Sequence, residues 1–360
     1  MSTGLGHPSD DLHAALAKVA PGTALREGLD RIVRAKMGAL LVLGDFPVVL
    51  NICSGGFLLD SAYSPQRLSE LAKMDGAIIL GADATRIARA NVHLVPDPTT
   101  PTSETGTRHR TAERVARSIT VPVVSVSEEM GVIAVYVGEH KHVLQEIGRL
   151  LERANQALQT LERYKARLDD VCSALSALEV EDVVTLRDVA TVLQRSEMFR
   201  RISVEIDMMI VELGVDARLL RLQLDELFGG TDDDLDLVVR DYGPDADPEA
   251  AVTVIARLAE LGDEQLLELF QVACTLAPLP PDTDLDQPVQ PRGYRLVSRI
   301  PRMSERLAQN VVERFGTLAK VLRATVADLA DVPGLDPGRA QAIKDALGRL
   351  AETSILEQYG

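Results

Sequence analysis

The sequence predicts an α/β domain at the N-terminus followed by two all-α parts. Three observations carry this. Short β-rich runs alternate with helical patterns to about residue 140, apolar residues then recur in steps of three and four, and a Pro- and Asp-rich stretch precedes two similar helix-turn-helix units. At 360 residues the chain exceeds what one core usually holds, and these changes of pattern divide it into residues 1–145, 146–290 and 291–360.

The β-rich runs are "ALLVLG" (39–44), "PVVLNI" (47–52), "AIIL" (77–80), "NVHLVP" (91–96), "PVVSVS" (122–127) and "GVIAVYVG" (131–138). Ser64 and Pro65 give a cap and a first-turn proline to a helix running through Lys73, with Leu68, Leu71 and Ala72 inward. A second helix begins near Thr107–Arg110, where Ala112, Val115, Ala116 and Ile119 form one apolar stripe. From Val143 to Leu178 the apolar spacing holds without a slip, predicting a helix of about 50 Å at 1.5 Å per residue. A further helical stretch, from about Leu186 to Phe228, reads as its antiparallel partner. Residues 231–250 read as acidic and turn-rich, a helical segment follows to about Ala277, and "PLPPDTDLDQPVQP" (278–291) reads as a stiff linker.

Composition excludes several classes. Aromatics are 3% of residues and Trp is absent, so aliphatic side chains must fill the core. Cys53, Cys172 and Cys274 are isolated, which fits buried thiols in a reducing compartment and neither a disulfide framework nor a zinc module. The N-terminus has no signal-peptide pattern and no apolar stretch reaches membrane-spanning length, so a soluble cytoplasmic protein is expected. The formal net charge is −16, yet residues 291–360 carry eleven Lys and Arg against eight Asp and Glu. The tail is electrostatically distinct.

"GTRHRTAERVARS" (106–118) places Arg108, His109 and Arg110 at a helix mouth. Cations there oppose the macrodipole, so the triplet makes sense if a strong anion sits among the side chains and the free backbone N–H groups; a polyphosphate fits. In "MDGAIIL" (74–80), Asp75 stands between helix and strand; Asp-Gly is also a common turn, but a carboxylate near a bound triphosphate suits nucleotidyl transfer. His140 and His142 flank Lys141 in a loop or helix start and read as a surface pair without metal partners. Ser54-Gly55-Gly56 lacks a P-loop Lys and reads as a strand turn, and Glu128-Glu129 reads as a solvated turn, with metal assistance the lesser alternative. In the tail, "VPGLDPGRAQAI" has the form of a helix-hairpin-helix turn, in which Gly334, Gly338 and Arg339 meet DNA phosphate; a self-associating hairpin is the plainer alternative.

"DGA" at 75–77, "GTRHRTAER" at 106–114, the long helical middle and the C-terminal hairpins together resemble the DNA-integrity scanning family of diadenylate cyclases, over essentially the whole chain. The resemblance implies a cyclase domain with a mixed sheet and the condensation of two ATP into cyclic di-AMP and two pyrophosphates with Mg²⁺ or Mn²⁺. It makes Asp75 the metal ligand and activator of the 3′-hydroxyl, with Gly76 and Ala77 admitting the nucleotide. Thr107, Arg108, His109, Arg110 and Thr111 would bind phosphates, Leu94 would line the nucleoside pocket, and Ser127 would add a polar contact. It also implies a homo-octamer and repression by branched DNA such as Holliday junctions. Asp336 replaces a glycine of the usual hairpin, and the first unit, around "IPRMSER", lacks glycine, which reads as a structural half although Arg302 and Arg306 lie within reach of phosphates. A non-catalytic branched-DNA scaffold with a structural nucleotide is the alternative. A repair nuclease would need carboxylates near the hairpins, and none stand out there.

Overall fold

The computed structural model describes residues 10–228 and 231–359, which form two compact units. The first holds the chain up to Gln156 together with Glu205–Gln223; the second holds Ala157–Val204 and the chain from Leu224 onward.

In the first unit, α1 (Asp10–Val19) and α2 (Ala24–Arg34) precede β1 (Ala39–Leu43), α3 (Pro47–Asn51), β2 (Cys53–Ser54), β3 (Phe57–Ala62), α4 (Pro65–Leu71), β4 (Ala77–Leu80) and β5 (Arg86–Leu94). Then come α5 (Thr107–Ile119), β6 (Val123–Val126), β7 (Ile133–Val137) and β8 (His140–Val143). The strands make one sheet in the order β2-β5-β4-β1-β6-β7-β8, with β3 also on β5. β1 and β4 are parallel and the other pairs antiparallel, so the sheet is mixed.

The central strands read as unbroken apolar runs because both faces are covered. With side chains alternating along each strand, Leu41, Leu43, Ile78, Leu80, Val124 and Val126 join Leu16, Leu29 and Leu68 of α1, α2 and α4. Leu40, Val42, Ala77, Ile79 and Val123 face the other way, onto Ala112, Val115 and Ala116 of α5. The helix bearing Arg108 and His109 thus lies on its own face of the sheet.

Two local expectations fail here. "PVVLNI" forms α3 and not a strand: Phe46 is extended, Pro47 presets the first helical turn, and only Val49 is buried. His140 and His142 lie on the edge strand β8, where "HKHV" pairs with β7. His140 is exposed and His142 part-exposed, but His142 is tied inward, its Nε2 2.6 Å from buried Glu212.

α6 (Ile147–Glu181) and α7 (Leu186–Leu213) each contribute to both units. The 35 residues of α6 span about 50 Å, as the spacing predicts, although the helix starts after Val143, which belongs to β8. The expected helix to Phe228 breaks at a 3₁₀ turn, Gly214–Ala217, before α8 (Arg218–Phe228). A Cβ at Gly214 would fall 2.4 Å from the Pro21 carbonyl oxygen, and φ is +53°, so glycine is required.

In the second unit, the acidic stretch is helical: α9 (Thr231–Tyr242) forms because Leu235, Val238 and Val239 supply a buried stripe. α10 (Pro248–Glu260), α11 (Asp263–Leu267) and α12 (Leu269–Leu276) follow. The stretch read as a stiff linker is tied down: the N–H groups of Leu186 and Arg187 donate to the carbonyls of Gln287 and Leu285, Val289 N–H donates to the Val184 carbonyl, and Arg187 pairs with Asp286. α13 (Tyr294–Ser298), α14 (Glu305–Phe315), α15 (Leu318–Arg323), α16 (Val326–Ala330) and α17 (Pro337–Tyr359) share one aliphatic core around Val311, Val321, Leu329 and Ala340. Of the three thiols, Cys172 is buried while Cys53 and Cys274 are half-buried.

Candidate functional site

A cavity of about 860 Å³ opens where β4, β5, the start of α5 and the β6–β7 turn converge. Asp75, Gly76, Ala77, Leu94, Thr107, Arg108, His109, Thr111 and Ser127 line it; Arg110 is exposed and lies outside the lining. Sequence reasoning did not place Leu40, Val92 and His93 in this wall; Glu128 and Glu129, read first as a solvated turn and second as assisting a metal, lie in it as well.

The α5 N-terminus offers the kind of donors an anion takes. Gly106 precedes it at φ +80° with no side-chain cap, leaving N–H groups free at a cavity wall that also holds Gly106 and Thr107. Arg108 lies between two carboxylates, 3.7 Å from Asp75 and 3.5 Å from Glu128. Its guanidinium runs so close to Gly38 that a Cβ there would fall 2.2 Å from Nη1. Asp75 is fully exposed. Gly76 has φ +99°, and a Cβ would meet backbone atoms of Asn91 and Val92 at 2.9–3.0 Å, so this glycine serves the packing of β5 on the Asp75 turn. Ala77 is a core residue paired with Val92. Ser127 accepts the Met130 N–H through its hydroxyl, holding the β6–β7 turn that carries Glu128.

Behind His109 lies a polar chain. Its Nδ1 is 2.9 Å from the hydroxyl of buried Tyr136, and nearby Glu104 pairs with Lys141 at 2.5 Å. Burial holds the His109 imidazole below its usual pKa, with Glu104 opposing that trend and Lys141 and Arg108 adding to it. Glu113, nearly buried one turn further along α5, accepts the hydroxyl of Thr102 and the N–H groups of Ser103 and Glu104, fixing the loop that leads into the helix.

Among the described residues no three His, Cys, Asp or Glu side chains cluster as a metal site. The donors nonetheless fit Mg²⁺ or Mn²⁺ arriving with a triphosphate, because such ions take one or two carboxylates and fill their shell with phosphate and water oxygens. Asp75, Glu128 and Glu129 are the carboxylates in the lining, and Asp75 and Glu128 are the two beside Arg108.

The two hairpins in the second unit have one geometry. Arg302 at φ +64° and Gly334 at φ +91° each follow a proline, and Ser304 and Asp336 each accept the N–H three residues on, of Leu307 and Arg339. Ala308 and Ala340 are buried at matching positions. The first hairpin thus forms the same turn without glycine. Asp336 caps α17 through an oxygen 2.9 Å from the Arg339 nitrogen. A cavity of about 600 Å³ gathers Arg302, Gly338, Arg339 and Arg349, and a neighbouring one of about 330 Å³ gathers Arg306, Gly334 and Arg339.

Comparison with known proteins follows the same three regions. Residues 26–141 match the family described as DisA bacterial checkpoint controller nucleotide-binding, residues 144–278 the DisA bacterial checkpoint controller linker region, and residues 294–349 the SAM-like helix-hairpin-helix tandem. The DNA integrity scanning protein DisA of Frankia alni is 52% identical over 356 residues, covering 98% of this chain and 99% of that one. The DisA proteins of Acidothermus cellulolyticus (54% identical, 97% and 95% covered) and Streptomyces coelicolor (51%, 97% and 94%) are equally similar. This chain belongs to the DisA family. The family's nucleotide-binding region contains every lining residue of the large cavity, and both hairpins fall within its helix-hairpin-helix tandem. Among solved structures, a double mutant of DacA from Staphylococcus aureus is 24% identical, with 38% of this chain and 89% of that one covered and a TM-score of 0.28.

Proposed function

We propose that this protein is a diadenylate cyclase that condenses two ATP into cyclic di-AMP and two pyrophosphates, with a DNA-sensing C-terminal part. The observation that carries this is the meeting, in one cavity of the DisA nucleotide-binding region, of an uncapped helix N-terminus, Arg108 and the exposed Asp75 carboxylate. The free N–H groups of α5, Thr107, Arg108, His109 and Thr111 bind the triphosphate, and Arg110, exposed beside the lining, meets its outer charge. Leu94 packs on the nucleoside and Ser127 supports the turn beside it. Arg108, released from Asp75 and Glu128 by the incoming phosphates, turns from a carboxylate partner to a phosphate clamp.

One cavity accommodates one ATP, so the reaction needs two copies facing each other, each 3′-hydroxyl attacking the other's α-phosphate in line with departing pyrophosphate. Asp75 accepts the hydroxyl proton and holds Mg²⁺ or Mn²⁺. The bound ion supplies neutralisation of phosphate charge. The remaining catalysis is positioning by the α5 N-terminus and Arg108. Two tetramers meeting through these domains give the homo-octamer, acting in the cytoplasm. We assign residues 1–145 to the cyclase, 146–290 to the helical spine and 291–360 to DNA binding. There, Arg302, Arg306, Gly334, Gly338 and Arg339 hold the backbone of branched DNA such as a Holliday junction, and that binding represses synthesis. Asp75→Asn tests the assignment: turnover should collapse with the fold and DNA binding intact, and unchanged turnover would remove Asp75 from the chemistry.

A further inference from the structure

We propose that Glu212 of α7 is a positioning residue for the triphosphate site. It pins the edge strand β8, and β8 in turn holds the groups that set the start of α5. This rests on reading the cavity as the triphosphate site.

The strand needs a tie from outside. None of its four residues is buried, so β8 has little apolar contact of its own and depends on its ladder to β7. Glu212 supplies the tie. Its side chain is 4% exposed; one carboxylate oxygen lies 2.6 Å from His142 Nε2, and the other accepts the Gln145 N–H at 2.6 Å. A buried carboxylate is tolerated where donors of this kind satisfy it. The two contacts flank buried Leu144, so a single side chain on α7 holds both the strand and its exit.

Side-chain alternation carries that hold through the sheet. His142 stands opposite Val135, which belongs to the core under α1 and α2, whereas Lys141 stands opposite Tyr136, which belongs to the core under α5. On the α5 side, Lys141 Nζ pairs with Glu104 at 2.5 Å and lies 5.9 Å from the centre of the Tyr136 ring. The Tyr136 hydroxyl is 2.9 Å from Nδ1 of His109, which lines the cavity. Glu104 stands three residues before Thr107, and Glu113 of α5 accepts its N–H. Glu212 on one face and the His109 wall on the other therefore share one strand. A slip of β8 by one residue would turn Lys141 to the wrong face. Asp75, on the turn before β4, is not on this route, so affinity for the triphosphate should fall before the chemistry does.

The test is a calorimetric titration of the full chain with a non-hydrolysable ATP analogue and Mg²⁺, reading Kd and the number of competent sites separately. Glu212→Ala and Lys141→Met should each raise Kd by about three- to thirtyfold with the number of sites unchanged, the size of coupling usual within one contact network. The double variant should bind no more weakly than the weaker single one, because both changes cut the same route. Glu212→Gln, which keeps one acceptor oxygen, should lie between wild type and Glu212→Ala. The Lys141 side chain is 43% exposed, so Lys141→Met paired with Glu212→Gln carries the test where Glu212→Ala fails to fold. If Glu212 served stability alone, its variants would melt earlier and lose competent sites at an unchanged Kd. That result overturns the proposal, as do additive losses in the double variant. Absence of any binding by wild type removes the triphosphate reading, and this proposal with it.

Discussion

Removing the guanidinium of Arg295 should be among the most damaging single changes outside the nucleotide cavity. Arg295 is 0% exposed and Glu179 1% exposed, and they pair at 2.8 Å. The guanidinium also donates to Ser176 Oγ at 2.8 Å and to the Cys172 carbonyl at 3.3 Å, and Tyr242 donates to Glu179 at 2.8 Å. α13, which opens the first hairpin, is thereby fastened to α6. Arg295→Met leaves the Glu179 side chain buried, with Tyr242 its remaining side-chain donor among the described residues. Breaking such a pair from one side costs about 3–5 kcal/mol. For a cooperative unit of roughly 150–250 residues that lowers Tm by about 6–20 °C. Glu179→Leu combined with Arg295→Met removes both charges, and the double variant should be more stable than the sum of the single losses by at least about 2 kcal/mol. Thermal unfolding followed by circular dichroism gives all four corners of the cycle. An Arg295→Met protein melting within about 2 °C of wild type by that assay, or strict additivity, would refute the reasoning.

Gly76→Ala should cost about 1–2 kcal/mol from its left-handed backbone plus about 1–3 kcal/mol from overpacking against β5, and should weaken ATP binding by displacing Asp75; a melting curve and an ATP titration check both. Gly334→Ala, whose added Cβ meets only Leu307 at 3.6 Å, should cost the backbone penalty alone. Asp241 is buried, and burial, reinforced by Glu179, pushes its carboxyl up to about 7 from 3.8, against the N–H groups of Gly293, Tyr294 and Arg295 that it accepts. A carboxyl that holds its proton more tightly when folded stabilises the acid side, so urea midpoints should fall from about pH 4 through about pH 7, and Asp241→Asn should flatten that slope. Arg302→Ala should weaken binding to all DNA sequences alike and reduce the salt slope by about 0.9, measured by fluorescence anisotropy; an unchanged slope would take Arg302 off the phosphate.

What sequence makes legible here is periodicity. Leu41, Ile79 and Val124 lie in apolar runs because the sheet is covered on both sides, and Ala112, Val115 and Ala116 mark the buried side of α5, which fixes where Arg108 stands. The α3 segment misleads because Val48, Val49 and Leu50 mimic a strand, while Pro47 in front of them starts a helix. β8 is too short and too polar to show a period, and its pairing depends on β7. The groups around His109 are invisible for a different reason. Glu104, Tyr136 and Lys141 come from a loop and two strands, and only the sheet register brings them to α5. Gly76 illustrates a third limit: the motif marks the position, but the close backbone of Asn91 and Val92 explains it.

Incubating the purified protein with ATP and Mg²⁺ or Mn²⁺, then separating products by chromatography, tests the central claim most directly. The account predicts cyclic di-AMP and two equivalents of pyrophosphate, lost in Asp75→Asn and slowed by a Holliday junction. ATP left intact with both metals, in a folded oligomer that still binds DNA, would contradict it.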